Sequence, residues 1–369
     1  MKIAQVPPLY ESVPPKLYGG TERIVAYLSD ALVELGHDVT LFASADSVTR
    51  ARLVTVRDQA IRLDPAPKKS DVAAHFSMMH ELREMADEFD VIHFHIDLLH
   101  LPFFEDIADR TVTTLHGRLD IKDLAGVYER WSAYPLVSIS DSHRKPLRNA
   151  NWLGTVHHGL PLDLHRPPLR PRGDYLAFLG RISPEKGPDR AIAIASSAGI
   201  PLKIAAKVDG ADRAYFREVV EPLLDNPLVE FIGEIDDSEK AAFLGNAIAL
   251  LFPIDWPEPF GLVMIEAMAS GTPVIAFPCG SVPEVVDEGV TGLIVPSVDE
   301  AVAAIDRIAR LDRGRIREVF ERRFSAKVMA RKYLNLYRRG IATQPALKPL
   351  PRPVPFLGGT PEIVARPDR

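Results

Sequence analysis

The segment from Asp255 to Pro273 holds the densest group of chemistry-bearing side chains in this sequence. It opens Asp255-Trp256-Pro257-Glu258-Pro259-Phe260-Gly261-Leu262-Val263-Met264-Ile265-Glu266. The prolines bound a turn, and a helix is expected to open near Phe260. Its first free amides, at about Gly261 to Val263, form an anion site that a diphosphate fits, and Gly261 allows close backbone approach. Glu258 lies in the turn, and Glu266, eight residues on, falls about two helical turns away. Two acids can thus address two parts of one extended ligand. Taken singly, Glu258 merely complements the helix dipole and Glu266 is a solvated helix acid.

A second segment, Phe178-Leu179-Gly180-Arg181-Ile182-Ser183-Pro184-Glu185-Lys186-Gly187, places two cations five residues apart on the loop after a strand. The planar fork of Arg181 and the compact charge of Lys186 suit phosphate oxygens. Alone, they are two surface cations, one paired with Glu185. Neither Gly-Lys-Ser/Thr nor a Gly-x-Gly-x-x-Gly after a strand is found, which excludes those two nucleotide-binding loops.

His116 directly follows a strand and precedes Gly117, a placement that favours an active-site role over a structural one. His93, His95 and Asp97 alternate and are expected on one strand face, an arrangement open to a metal. A metal site needs more ligands, so these three are read as polar lining of a cleft. The arginine cluster from Arg313 to Arg323 is read as a solvated helical face with Glu318 and Glu321.

Composition narrows the partners. The 369 residues are 46% hydrophobic and 25% charged, within the range of soluble globular proteins. Forty-four Lys and Arg against 50 Asp and Glu give a net charge of -6, so no strong basic field draws a nucleic-acid backbone. A single cysteine, Cys279, excludes an intrachain disulfide and points to a reducing compartment. The N-terminus reaches Pro7 and Pro8 without a signal-type apolar core, and no apolar run approaches bilayer length. The expectation is a cytoplasmic protein without a transmembrane segment, with peripheral membrane contact left open.

The elements that position these residues read as alternating strands and helices, the pattern of α/β layers. Strands are expected at Lys2 to Val6, Asp38 to Ala43, Asp90 to Ile96, Thr111 to Leu115, Leu136 to Ile139 and Thr155 to His158. Gly19-Gly20-Thr21 leads into a helix marked by Ile24, Leu28, Ala31 and Leu35, with Gly36 as its stop. The Pro- and Arg-rich stretch 161–174 reads as a linker. Beyond it, strands are expected at Tyr175 to Leu179, Leu202 to Ala206, Val229 to Ile232, Ile248 to Phe252, Val274 to Phe277 and Gly292 to Val295. Two doubly wound sheets hold ligands at the carboxyl ends of their strands, in the cleft between them.

In that frame, Glu258 to Glu266 resembles the E-x7-E element of retaining glycosyltransferases of family four, and Gly180-Arg181 with Glu185-Lys186-Gly187 is similar to the family's donor-phosphate segment. The likeness continues, in the family's order, through the Gly19-Gly20 loop, Thr114-Leu115-His116-Gly117, Pro273-Val274-Ile275-Ala276 and Glu284 to Leu293, covering roughly residues 1–340. Phe324 to Arg339 resembles the family's closing helix. The resemblance implies the GT-B fold: an acceptor-side Rossmann-like domain over 1–165, a nucleotide-sugar-binding one over 166–322 and a helix returning to the first domain over 323–344. Residues 345–369, with seven prolines and little apolar periodicity, read as an extended Pro-rich tail.

It also implies roles. Arg181 and Lys186 would meet the donor diphosphate, with Gly20 at a helix N-terminus opposite and backbone contacts from Phe260, Gly261, Leu262 and Val263. Glu258 would take donor-sugar hydroxyls, Glu266 the ribose hydroxyls, and Gly233 to Ile235 the nucleobase. His116 would face the transferred sugar. Tyr10, Tyr18, His95, Asp97 and His143 would serve the acceptor side, with Glu11 and Ser140 to Ser142 nearby. The implied reaction moves a hexosyl group, with retention, from a nucleotide-sugar to a hydroxyl of a sugar, lipid-linked or small-molecule acceptor. UDP-glucose is the first expected donor, UDP-sugars rank ahead of GDP-sugars, and neither a metal nor a permanent cofactor is expected. Alternatives are a GT-B sugar-nucleotide epimerase or phosphorylase, and a non-catalytic nucleotide-sugar-binding protein. Paired carboxylates also serve glycoside hydrolysis, but here they flank a phosphate-binding helix.

Overall fold

The computed structural model describes residues 1–16 and 19–343; Tyr18 and the Pro-rich tail fall outside the described residues. Two fully parallel sheets organise the chain. The first contains β1 (Lys2–Val6), β2 (Asp38–Ser44), β3 (Arg52–Arg57), β4 (Val91–Phe94), β5 (Thr111–Thr114), β6 (Leu136–Ser138) and β7 (Trp152–Thr155), in the order β3-β2-β1-β4-β5-β6-β7. The second contains β8 (Leu176–Arg181), β9 (Leu202–Lys207), β10 (Val229–Gly233), β11 (Leu250–Phe252), β12 (Val274–Ala276) and β13 (Gly292–Ile294), in the order β10-β9-β8-β11-β12-β13. In each sheet the order reverses beside the first strand, at β1/β4 and at β8/β11. Loops leaving such a switch point diverge to opposite faces and leave a crevice.

The central strands read as unbroken apolar runs because helices cover both faces: Leu250-Leu251-Phe252 and Val274-Ile275-Ala276 are wholly buried. β3 was not expected, because its half-exposed edge position tolerates Arg52, Thr55 and Arg57 and blurs the apolar signal. The last strand of the first sheet lies three residues before its expected place, at Trp152 rather than Thr155, which leaves His157 and His158 in the loop beyond it.

Helix α1 (Gly20–Glu34) follows β1, α2 (Asp237–Gly245) follows β10, and α3 (Leu262–Ala269) follows β11. Near the end, α4 (Arg313–Arg323) leads into α5 (Ala326–Thr343), which packs on α1 and β7 of the first sheet. Met329, Ala330, Tyr333, Leu334 and Tyr337 form the buried stripe of α5, at the spacing of one helical face. One apolar cluster includes Ile3 and Val137 in the first sheet, Leu250 and Val274 in the second, and Phe324 and Tyr333 in the closing segment. Linker and closing helix are tied by backbone bonds, Leu160 N–H to Phe324 O at 2.9 Å and Ala326 N–H to Leu160 O at 2.8 Å. Gly159 makes that approach possible, since a Cβ there would lie 2.5 Å from Ser325 O.

The arginine cluster on α4 differs from expectation. Arg315 and Glu318 do form an outward pair, but Arg313 donates to Gly245 O at 3.0 Å, and Arg317 to His165 O and Ala269 O at 2.6 Å each. Arg323 reaches Glu284 O at 2.5 Å. Helix ends and loops leave carbonyls without backbone partners, and multi-pronged guanidinium donors meet them. No helix among the described residues is long and apolar enough to cross a membrane.

Candidate active site

Loops following β1, β5, β8, β10 and β11 converge on a cleft of about 570 Å³ walled by both halves of the chain. Gly20, His116, Arg181, Lys186, Ile235, Glu258, Phe260, Gly261, Leu262, Val263 and Glu266 all line it. α3 begins two residues later than expected, with Gly261 at φ 77° as its cap. Met264 N–H already donates to Gly261 O at 3.1 Å, so the amides of Leu262 and Val263 carry the helix's positive end. A Cβ placed on Gly20 would sit 3.8 Å from Leu262 Cδ1. The first turns of α1 and α3 therefore meet at the cleft wall, where the amides of either can meet an anion.

Cations around this point are held by acids. Lys186 Nζ bonds Glu258 Oε2, which also accepts Trp256 Nε1–H at 3.0 Å. The Trp256 ring carries Lys186 Nζ at 4.9 Å from its centroid and the Arg118 guanidinium, from the first half of the chain, at 5.3 Å. Arg181 ends β8 rather than lying in the loop, and it pairs with Glu185 at 2.7 Å, Asp212 at 3.6 Å and Asp209 at 3.8 Å. Gly280 packs on the Glu258 backbone, where a Cβ would lie 2.3 Å from Glu258 N, and Ser281 N–H donates to Glu258 O. These contacts hold the Pro-bounded turn.

Glu266 is not a solvated acid: it is 3% exposed and pairs with Lys240 at 3.0 Å. Burial pushes its carboxyl up, but Lys240, His165 and Arg23 outweigh burial and hold it below the usual range. Lys240 also meets Asp237 at 3.0 Å, and Asp237 pairs with Arg23 of α1, so this cluster joins the two halves beside the cleft. Glu284 makes a second bridge, accepting the amides of Asp141 and Ser142 at 2.7 Å each.

His116 Nε2 lies 2.9 Å from His95 Nδ1, and burial together with nearby His143 pushes its pKa down to about 3. His95, Asp97 and His143 do not form cleft wall; they hold the His116 loop from beneath. His143 Nε2 contacts Gly117 O at 2.6 Å. Asp97 stands at φ 53°, past the end of β4, and accepts the His116 amide; burial raises its carboxyl to about 6. His93 and His95 share one face, their ring centroids 4.0 Å apart, but Asp97 does not join them, because β4 ends at Phe94 and the chain turns at Asp97. Among the described residues no group of three or more His, Cys, Asp or Glu is arranged to hold a metal ion. Tyr10 also lies off the cleft wall, its hydroxyl on Asp71 at 3.0 Å, and Gly233 closes β10 just short of the wall that Ile235 joins. Glu11 pairs with Arg62, and Ser140 Oγ–H donates to Pro259 O at 2.7 Å.

Reading the sequence passed over Trp256, Arg118, Lys240 and Arg23. Trp256 was visible inside the key segment, yet a lone indole gave no chemical cue; the other three acquire roles through partners distant in sequence.

Comparison with known proteins adds to this geometry. A family described as "Glycosyltransferase Family 4" matches residues 18–198, and one described as "Glycosyl transferases group 1" matches residues 164–323. D-inositol 3-phosphate glycosyltransferase of Mycobacterium marinum is 32% identical over 186 residues, which span 44% of this chain and 38% of that protein. Phosphatidyl-myo-inositol mannosyltransferase of Mycobacterium leprae is 28% identical over 374 residues, 91% of this chain and 96% of that protein. The crystal structure of AviGT4, a glycosyltransferase involved in avilamycin A biosynthesis, superposes with a TM-score of 0.71 at 25% identity, covering 93% of this chain and 99% of that one. The two switch-point sheets, the returning helix and these matches agree: this chain belongs to glycosyltransferase family four, in glycosyl transferases group 1, and has the GT-B fold.

Proposed function

We propose that the chain is a retaining glycosyltransferase that moves a hexosyl group from a nucleotide-sugar to an acceptor hydroxyl without a metal, with UDP-glucose as the first donor and UDP-sugars ahead of GDP-sugars. The reading includes a division at 165/166 into acceptor-side and donor-side domains and a cytoplasmic location. Its main support is the convergence in one cleft of two helix N-termini, Arg181, Lys186, Glu258 and Glu266. In this mechanism the bond from the anomeric carbon to the diphosphate oxygen breaks, its electron pair leaves with the phosphate, and the acceptor oxygen bonds the same face of the carbon. The acceptor's proton passes to the departing phosphate oxygen. Lys186, Arg181 and the α3 amides stabilise the leaving charge, which is where preorganised donors lower a barrier most. Glu258 and Glu266 accept hydroxyls of sugar and ribose, and His116 faces the sugar.

The test combines thermal stabilisation with nucleotide release, using UDP- and GDP-sugars with and without EDTA. EDTA-insensitive stabilisation with acceptor-dependent release supports the reading; no stabilisation by any nucleotide-sugar overturns it. Stabilisation without release over the acceptor panel favours a non-catalytic binder. Sugar isomerisation without acceptor favours an epimerase, and phosphate-dependent release of sugar phosphate a phosphorylase. The acceptor panel begins with inositol phosphate and phosphatidylinositol, after the names of the two mycobacterial relatives.

A further inference from the structure

Beneath His116 runs a chain of buried hydrogen bonds whose directions are coupled. His116 Nε2 is 2.9 Å from His95 Nδ1, and His95 Nε2 is 2.9 Å from Gln5 Oε1. Gln5 Nε2 lies 3.4 Å from the Tyr337 hydroxyl, which lies 2.8 Å from His93 Nδ1. His93 Nε2 is 2.7 Å from Thr114 Oγ1, which meets the Tyr333 hydroxyl at 3.0 Å. Gln5, His93, His95, Thr114, Tyr333 and Tyr337 are all buried. Burial drives His93 and His95 well below the ordinary histidine pKa, so both rings are neutral at physiological pH.

A neutral imidazole has one donor and one acceptor nitrogen, so each bond in such a chain dictates the next. Two arrangements, one the reversal of the other, suit every ring. The Gln5 amide selects between them, and its oxygen faces His95. His95 Nε2–H therefore donates to Gln5, and His95 Nδ1 is an acceptor. His116 Nε2–H must donate to it, which leaves His116 Nδ1 with a lone pair. In the other direction, the Gln5 amide N–H donates to the Tyr337 oxygen, Tyr337 O–H to His93 Nδ1, and His93 Nε2–H to Thr114 Oγ1. No bond in the chain is left with two donors or two acceptors.

We propose that Gln5 and His95 are positioning residues that hold His116 as its Nε2–H tautomer, so that His116 offers Nδ1 to the cleft as a hydrogen-bond acceptor for a hydroxyl of the transferred sugar. The identity of that ligand rests on the glycosyl-transfer reading; the tautomer does not. With Nε2 committed to His95, Nδ1 is the ring nitrogen left to a ligand on this cleft wall. The backbone is held as well, through the His116 amide on Asp97. The closing helix takes part because Tyr337 completes the hydrogen bonding of Gln5, which links the register of α5 to a proton on His116.

Proton–nitrogen correlation NMR on the full chain with isotope-labelled histidine reads the tautomer at neutral pH without substrate, the His116 signals being assigned by their loss in His116→Gln. The expected result is a protonated Nε2 and a bare Nδ1; an Nδ1–H form overturns the proposal whatever the activity. In the transfer assay, Gln5→Met is expected to lower kcat about tenfold, the size of one well-made hydrogen bond, with less than about a threefold change in donor KM. Gln5→Glu, kept protonated by burial, presents a carbonyl oxygen to His95 and an O–H to Tyr337, and is expected to restore most of kcat. Wild-type kcat and an unchanged His116 spectrum in Gln5→Met also overturn the proposal. If Gln5→Met does not fold, the wild-type spectrum decides. A wild-type protein inactive with all nucleotide-sugars removes the assigned ligand, and the same spectrum still decides the tautomer.

Discussion

Replacing Lys186 with methionine removes one charge and keeps most of the side chain's packing on Trp256. Lys186 and Glu258 retain 20% and 10% side-chain exposure, so their ion pair is only partly screened. On the proposed reading a diphosphate takes Lys186 from Glu258, and the net gain is the difference between two charge-assisted bonds plus attraction to the second phosphate charge. Hydrogen bonds to charged groups contribute about 1.5–3 kcal/mol each. The net loss on removing Lys186 is therefore about 1.4–2.8 kcal/mol, or a ten- to a hundredfold weaker Kd for the nucleoside diphosphate at about 1.4 kcal/mol per decade. The variant also leaves the buried Glu258 carboxylate with Trp256 Nε1–H as its remaining side-chain donor, a destabilisation of about 1–3 kcal/mol. Calorimetric titration with UDP reads the first effect and denaturant unfolding the second. Lys186→Met with Glu258→Gln should recover stability without recovering binding. Wild-type UDP affinity in Lys186→Met would refute the phosphate role, and unchanged stability would refute the pairing with Glu258.

Glu258→Gln keeps the turn's shape and loses the charge that pairs with Lys186 and, on the proposed reading, accepts paired hydroxyls. Transfer should fall about a hundredfold with the fold retained and a stability loss within about 1–3 kcal/mol from the broken pair, and unchanged turnover removes Glu258 from the site. Glu22, buried in the first turn of α1, has its carboxyl raised to about 7 chiefly by burial. A raised carboxyl favours the folded state below the unfolded value of 4.5, and that contribution, roughly 3 kcal/mol, is lost as pH rises through about 7. Glu22→Gln should therefore flatten the loss of stability between acidic and alkaline pH, and parallel unfolding curves for both proteins would contradict the assignment. Gly159→Ala forces a Cβ against Ser325 O and should cost about 1–3 kcal/mol of unfolding free energy in urea titrations. A neutral result would show that the linker and the closing helix are not tightly apposed.

The sequence alone determined what depends on neighbours along the chain. A Pro-bounded turn running into α3 puts Glu258 and Glu266 at opposite ends of one short element, and Arg181 and Lys186 lie close together at one strand end. Strand-helix alternation with a linker near 161–174 was enough for two doubly wound sheets and a cleft, because side-chain period and turn residues are local properties. The half-exposed edge strand β3 escaped for the same reason, its pattern being weak where one side is solvent. Tertiary structure decided the pairings: Lys186 with Glu258, Lys240 with Glu266, Arg23 with Asp237 across the cleft, and Arg317 on three carbonyls of two separate segments. It also moved His95, Asp97 and His143 from the cleft wall to the support of His116. Those outcomes depend on how two sheets face each other and on where α5 returns, and no periodicity within a segment encodes a distance between segments.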